Sequence, residues 1–412
     1  MIGQRLWRPY TQMMTANPPL EAVRTEGSTI RLADGRVLTD GIASWWTACH
    51  GHNHPHIREA VTRQLEVMPH IMFGGFTHQP AEQLASRLAN LLPGDLNHVF
   101  FTDSGSVAVE VAMKMAVQYW LNRGVAGRHR FLAFRGAYHG DTLGAMSVCD
   151  PEAGMHAKFD GWLPRQLFAD LPRDAESAAA LDALLAERGG EIAAVITEPL
   201  VQGAGGMRFH DDETLARIAR IAKAHNVLLI ADEIFTGFGR TGTMFACEQA
   251  HVTPDIICLS KALTGGTMAL GATVASAEVF GSFWSPDPGH ELMHGPTFMA
   301  NPLACAAANA SFDLFDREPR IEQAQAMEQK LLAGLLPCAD LRGVTDVRAK
   351  GAIGVVQLAA TPDHEALKRA FVEQGVWIRP FGDVVYLTPA LNIADQDLQR
   401  LCTAAVSVLK AG

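Results

Sequence analysis

The middle of the chain alternates short apolar runs with stretches whose apolar residues recur at helical spacing. Val99–Thr102, Arg130–Phe134, Ala193–Thr197, Val227–Ala231 and Ile256–Leu259 are short, rich in β-branched or aromatic residues, and read as strands. Between them the period lengthens. Ala108, Val111, Ala112, Met115 and Tyr119 place one apolar stripe on a helix over Ser106–Trp120, and the Ala-rich stretch Ala175–Glu187 is helix-prone. Such alternation predicts an α/β fold with a mainly parallel central sheet. After Asn309 the texture changes to helices over Glu318–Leu336, Asp363–Glu373 and Asp395–Lys410. They are interleaved with strands at Val344–Val347, Ile353–Leu358, Val376–Ile378 and Val384–Leu387. This reads as a smaller α+β domain.

Composition narrows the function classes. A chain of 412 residues is long for one core and predicts two domains. With 48% hydrophobic and 19% charged residues it has ample apolar material and no sign of disorder. A formal net charge of −10 repels a phosphate backbone and argues against a nucleic-acid partner. No apolar run approaches the roughly 18 residues that span a bilayer, and Arg5 and Arg8 interrupt the place where a secretory signal needs its apolar stretch. Seven scattered cysteines without a CxxC suggest reduced thiols in a cytoplasmic protein.

Ligands of parallel sheets gather at the carboxyl ends of the strands, so the residues there decide the chemistry. Val99–Thr102 runs into Asp103-Ser104-Gly105-Ser106 and a helix; its first N–H groups suit a phosphate, although an ordinary serine cap reads the same way. Arg130–Phe134 leads to Tyr138-His139-Gly140-Asp141, Ala193–Thr197 to Glu198, Val227–Ala231 to Asp232-Glu233, and Ile256–Leu259 to Ser260-Lys261. A structural salt bridge between Asp232 and Lys261 is the plain alternative for that pair. Pyridoxal phosphate accounts for the whole set. It needs an amine to form an imine with its aldehyde, a carboxylate to keep its pyridine nitrogen protonated, a phosphate cradle and an aromatic ring against its face. Lys261, Asp232, Gly105 with Ser106, and Tyr138 supply those parts.

Two patterns are set aside. Gly237-Phe238-Gly239-Arg240-Thr241-Gly242 spells GxGxxG, but the next strand begins too soon for a crossover helix, and its nearest acid, Asp255, precedes it. His50, His52, His54 and His56 alternate like metal ligands, yet Pro55 implies a turn into a helix and no acid or cysteine cluster adjoins them; no metal is expected.

The run Asp232-Glu233-Ile234-Phe235-Thr236-Gly237-Phe238-Gly239-Arg240-Thr241-Gly242, with Lys261-Ala262-Leu263-Thr264-Gly265-Gly266, resembles the signature of class III aminotransferases. The likeness spans almost the whole chain, through Trp7-Arg8-Pro9-Tyr10-Thr11, Ser44-Trp45-Trp46, Met72-Phe73-Gly74-Gly75, Met293-His294-Gly295-Pro296-Thr297 and Gly375-Val376-Trp377-Ile378-Arg379-Pro380. It implies the fold-type I architecture of pyridoxal-phosphate transferases. On that reading residues 1–43 contribute to the small domain, 44–317 form the large cofactor-binding domain, and 318–412 the small C-terminal domain. It also implies a homodimer with shared active sites. Within the family, the aromatic pair and the arginine block are most similar to the enzymes of biotin biosynthesis that aminate 8-amino-7-oxononanoate to 7,8-diaminononanoate. S-adenosylmethionine is their amino donor, and the spacing leaves lysine open in that role.

Carried over residue by residue, the resemblance implies that Lys261 forms the imine and shuttles the proton, that Asp232 pairs with the pyridine nitrogen and that Tyr138 stacks on the ring. Gly105 and Ser106 hold the phosphate, and Pro296 and Thr297 reach the phosphate of the neighbouring subunit's cofactor. Tyr10, Trp45 and Gly295 line the substrate channel, Tyr10 meeting the substrate's amino group. Arg379 pairs with the far carboxylate of the keto substrate, a role suited to its planar fork, and Asp141 meets the donor's cationic end. Alternatives are another class III omega-amino-acid aminotransferase, a different pyridoxal-phosphate reaction, or a non-catalytic cofactor-binding protein. Ser260, where relatives have glycine, and Gly136-Ala137, where Asn-Gly is usual, put local loop geometry in question.

Overall fold

The computed structural model describes residues 5–152 and 154–411. Met1–Gln4 and Gly412, the outermost residues of the expected first and last domains, lie outside them, as does Ala153. Three N-terminal strands, β1 (Ala22–Glu26), β2 (Thr29–Leu32) and β3 (Val37–Asp40), form an antiparallel meander. The central sheet takes β4 (Leu96–Thr102), β5 (Arg130–Phe134), β6 (Leu167–Ala169) and β7 (Ile192–Thr197). A small hairpin, β8 (Val201–Gln202) and β9 (Arg208–Phe209), intervenes before β10 (Leu228–Asp232), β11 (Ile256–Leu259) and β12 (Gly271–Ser276) complete it. Its order is β4-β12-β11-β10-β7-β5-β6, and β12 alone runs against the other six strands.

Alternation along these strands divides two apolar layers. Phe131, Ala133, Ile230, Ile256 and Cys258 face Ala108, Val111, Ala112, Met115 and Tyr119 of the helix Gly105–Asn122. Leu132, Phe134, Leu229, Ala231, Ile257 and Leu259 face the opposite layer, which includes Leu215 and Ile218 of the helix Asp212–Ala224. A sheet buried on both sides explains why these strands are nearly unbroken apolar runs.

After the helix Pro302–Arg317 come β13 (Val344–Lys350), β14 (Ile353–Leu358), β15 (Val376–Trp377) and β16 (Val384–Leu387). The order β13-β14-β16 is antiparallel. The segment read from sequence as a fourth strand of this group, β15, instead pairs parallel with β3, Trp377 opposite Asp40. One seam joins this part to the central body through Arg240, which is 2% exposed. Its Nη1 donates to the carbonyl oxygens of Ala352 and Pro389 at 3.1 and 2.8 Å.

Candidate active site

Six parallel strands deliver their following loops to one sheet edge, where a cavity of about 190 Å³ is lined by Trp46, Gly105, Ser106, Tyr138, His139, Gly140, Glu198, Asp232, Phe235, Ser260 and Lys261. Each side chain has a local reason for its position. Ser104, not Ser106, is the helix cap, its Oγ accepting from Val107 N–H at 3.3 Å. Gly105 and Ser106 therefore occupy the first turn, whose N–H groups have no partner within a helix. Ser106 Oγ accepts from Asp141 N–H at 3.0 Å, tying the helix start to the loop after β5. Gly140 makes that approach feasible, because a Cβ there would lie 2.3 Å from Ser106 Oγ.

The adjacent acids at the end of β10 separate. Glu233 turns away from the cavity, and its carboxylate accepts from Thr236 Oγ1 and the N–H groups of Ala246 and Cys247 at 2.7–2.9 Å. Asp232 lines the cavity. One oxygen accepts from Ile234 N–H at 3.1 Å and the other lies 2.7 Å from His139 Nδ1, while His139 Nε2 is buried without a hydrogen-bond partner. Lys261 has φ +47°, a conformation unfavourable to a side-chain-bearing residue, and its Nζ sits 4.8 Å from the centre of the Trp46 ring. Burial lowers the pKa of this amine, and the carboxylates of Asp232, Glu198 and Asp141 oppose the shift. A buried amine biased toward its neutral form is suited to attack a carbonyl and to carry a proton. Glu198, buried nearby, is raised to about 7 by desolvation; His139 is the leading opposing influence, and Asp232 adds to the rise.

Ser260, one of the two departures, fits its place: its Oγ donates to Leu270 O at 2.7 Å. At the other, Gly136 has φ +78° and its N–H is held by Asp150 Oδ2, while Tyr138 N–H donates to Glu198 at 3.0 Å.

The outer wall is built from four consecutive left-handed residues that are not glycine: Ala43, Ser44, Trp45 and Trp46, with φ of +44°, +49°, +60° and +71°. Each costs about 1–2 kcal/mol. Trp46 packs on Phe235, centroids 4.4 Å apart, and Trp45 meets Tyr10 edge-on at 6.0 Å. The guanidinium of Arg379 lies 4.6 Å over the Trp45 ring. Tyr10 Oη is 3.3 Å from Tyr138 Oη and also donates to Asp141. Tyr138 Oη and His156 Nε2 reach the same carboxylate at 2.9 Å. A chain of contacts therefore runs from Tyr138 in the cavity through Tyr10 and Trp45 to Arg379. Burial, then the Asp141 hydrogen bond, pushes the Tyr10 phenol up to about 12, and burial raises Tyr138 further.

Gly295, Pro296 and Thr297 stand apart. They follow a loop pinned to the outer face of the helix Gly105–Asn122, where Lys114 Nζ donates to Met293 O and Gln118 to Glu291 O. None of the three lines the cavity of its own chain. The alternate histidines bind separate partners: His50 Ser311 at 3.0 Å, His52 Asp40 at 2.8 Å and His56 Asp313 at 2.8 Å. The GxGxxG run folds as successive turns, with left-handed Gly239 and Gly242 and no helix directly after it. Sequence reasoning overlooked His156, which lies in a coil without periodicity, and the pairing of Asp40 with His52.

The cavity offers a buried amine, a carboxylate, a helix N-terminus opening on Gly105, and an aromatic side chain around one volume. Those residues fit an anionic, aromatic aldehyde cofactor of pyridoxal phosphate's chemistry. Residues 10–409 match the family described as Aminotransferase class-III. The chain is 43% identical to the adenosylmethionine-8-amino-7-oxononanoate aminotransferase of Corynebacterium glutamicum, covering 99% of this chain and 97% of that protein. Among solved structures it is similar to the enzyme of the same name from Methanocaldococcus jannaschii, at a TM-score of 0.94 and 33% identity over 99% of this chain and 97% of that one. It also resembles an amine transaminase from an uncultivated Pseudomonas species solved in its PLP-bound form, at 0.92 and 31% over 99% and 98%.

Proposed function

The chain belongs to the class-III aminotransferase family, and from that premise we propose that it transfers an amino group to 8-amino-7-oxononanoate, giving 7,8-diaminononanoate for biotin biosynthesis, with S-adenosylmethionine as donor and pyridoxal 5'-phosphate as cofactor. The observation that carries the reading is the continuity of contacts from the Lys261 cavity to the Arg379 guanidinium. It supplies an amine at one end and an anion receptor at the other, as an acceptor with a ketone and a distant carboxylate requires. The cofactor, when bound, supplies an aldehyde that carries the amino group and a ring that draws off electron pairs.

The chain's own residues divide the remaining work. Lys261 would hold the cofactor through its aldehyde, and its amine, tethered in the cavity, would serve as general base and acid. Asp232, fixed by Ile234 N–H and His139, keeps the proton on the pyridine nitrogen. Gly105 and Ser106 hold the phosphate, and Tyr138 covers the ring. Tyr10, Trp45 and Gly295 bound the channel, Arg379 takes the carboxylate, and Asp141 receives the donor's cationic end.

The placement of exposed Gly295 and Thr297 and half-buried Pro296, away from their own cavity, supports a homodimer in which each copy completes the other's site. Seven free, buried thiols support a cytoplasmic location, and among the described residues no helix is long and apolar enough to cross a membrane.

The test is turnover of the purified, cofactor-loaded protein with 8-amino-7-oxononanoate and, separately, S-adenosylmethionine, lysine, ornithine or 4-aminobutyrate. Mass spectrometry of the products reads the result. We expect 7,8-diaminononanoate with S-adenosylmethionine. Product with lysine, ornithine or 4-aminobutyrate but not S-adenosylmethionine overturns the donor, and no 7,8-diaminononanoate with any of the four overturns the acceptor. Borohydride reduction with peptide mapping is expected to fix the cofactor on Lys261.

A further inference from the structure

We infer that Asp40 and His52 are positioning residues for the substrate channel, holding the left-handed Ala43–Trp46 turn that presents Trp45. The inference rests on the reading that Trp45 bounds the channel.

Asp40 closes β3 and is 2% exposed. Its two oxygens accept from three donors: Ile42 N–H at 2.9 Å, Ser44 N–H at 2.8 Å and His52 Nε2 at 2.8 Å. Ser44 N–H lies within the left-handed turn and Ile42 N–H, on a residue with φ −128°, leads into it, so the carboxylate spans the entry and binds that conformation selectively. In an extended chain Ser44 N–H would point elsewhere and Asp40 would lose a bond while remaining buried. His52 fixes the carboxylate from the other side, and is itself anchored by the paired backbone bonds of His52 and Gly27 at 2.7 and 3.0 Å.

Strand pairing gives the turn its purpose. β3 and β15 are parallel neighbours with Asp40 opposite Trp377, so the chain leaves both strands in the same direction. One exit carries Trp45 and the other Arg379, which meet at 4.6 Å. The backbone bond from Gly41 N–H to Trp377 O at 2.9 Å locks the two exits together. A relaxed turn would swing Trp45 off the guanidinium and away from Tyr10.

Asp40→Asn is the direct test, since the amide keeps the size but replaces one acceptor by a donor that faces an N–H. Expected is a rise in KM for 8-amino-7-oxononanoate on the order of 10- to 100-fold, with cofactor affinity and borohydride labelling of Lys261 unchanged and the near-UV dichroism of tryptophan altered. Adding Ser44→Gly, which favours the left-handed conformation, should recover most of that loss; Ser44→Gly alone should leave KM near the wild-type value. His52→Ala carries the same test if Asp40→Asn does not fold. A wild-type KM in the foldable variant overturns the inference, as does a double variant no better than Asp40→Asn. Trp45→Ala separates the two readings. If its KM is normal, the channel reading of Trp45 has failed, while altered dichroism restored by Ser44→Gly still reports the hold of Asp40 on the turn.

Discussion

Gly205 is the most exacting contact around the candidate site. It lies in the hairpin between β8 and β9, pressed against the loop that carries Tyr138. A Cβ on Gly205 would stand 1.8 Å from Gly136 O, 2.9 Å from its carbonyl carbon and 3.5 Å from its Cα, all backbone atoms. Real Cβ atoms essentially never come under 3.0 Å, so Gly205→Ala must push the two segments apart by about 1.2 Å, the difference between 3.0 and 1.8 Å. Neither side yields easily, because Gly136 N–H is held by Asp150 and Tyr138 N–H by Glu198. Overpacking of this kind costs about 1–3 kcal/mol, and loss of the Tyr138 amide bond to the buried Glu198 adds about 1–3 kcal/mol. We expect Gly205→Ala to lose about 2–6 kcal/mol of unfolding free energy in urea and to bind pyridoxal phosphate at least tenfold more weakly. Gly190→Ala, with nothing within 4 Å of its Cβ, is the control. A Gly205→Ala protein as stable as that control, with unchanged cofactor affinity, would refute the argument that this approach sets the Tyr138 loop.

Three further outcomes follow from the same geometry. Glu198, raised from 4.5 to about 7, holds a proton in the folded state that the unfolded chain releases. Its contribution is complete below pH 4.5 and is lost as pH rises through 7, a change of about 3 kcal/mol. Glu198→Gln should therefore gain on the wild type between urea titrations at pH 5 and pH 8, and an equal difference at both counts against it. Arg379→Lys keeps the charge but loses the fork and the stacking on Trp45. KM for the keto substrate should rise about 10- to 100-fold, matching the roughly 1.5–3 kcal/mol of a charged hydrogen bond, and an unchanged KM places the carboxylate elsewhere. Asp141→Asn removes the negative charge that helps raise Tyr10, so ultraviolet titration should show that phenol ionising at lower pH; no downward shift contradicts the assignment.

The central sheet was readable because its strands are buried on both faces, which turns them into uninterrupted apolar runs with chemistry at their carboxyl ends. Arg130–Phe134 and Ile256–Leu259 match the observed β5 and β11 to the residue. β12 escaped notice for a physical reason. Gly-Ala-Thr-Val-Ala-Ser is made of small residues that read as loop, and it opens on a glycine because neighbouring backbone is close: a Cβ on Gly271 would lie 2.6 Å from Ser104 O. β1, mostly exposed, has no apolar alternation to betray it. The pairing of β15 with β3 joins positions more than three hundred residues apart, and no local pattern encodes such a contact. Around the cavity, Lys261, Asp232, Tyr138, Gly105 and Ser106 were identifiable because each follows a strand. His156 and Asp40 act through turn geometry, on partners 15 and 12 residues away, which no periodic pattern announces, and the histidine run, set aside as a metal site from its sequence, meets a serine, two carboxylates and an arginine.

Arg240 has a bearing on how the molecule comes apart. A guanidinium whose charged form burial already disfavours rests on two peptide oxygens contributed by distant C-terminal residues. Peeling those residues away would strand the cation, so the C-terminal strands and the central sheet are bound to melt together, and a version cut short before Ala352 should be insoluble rather than merely less active.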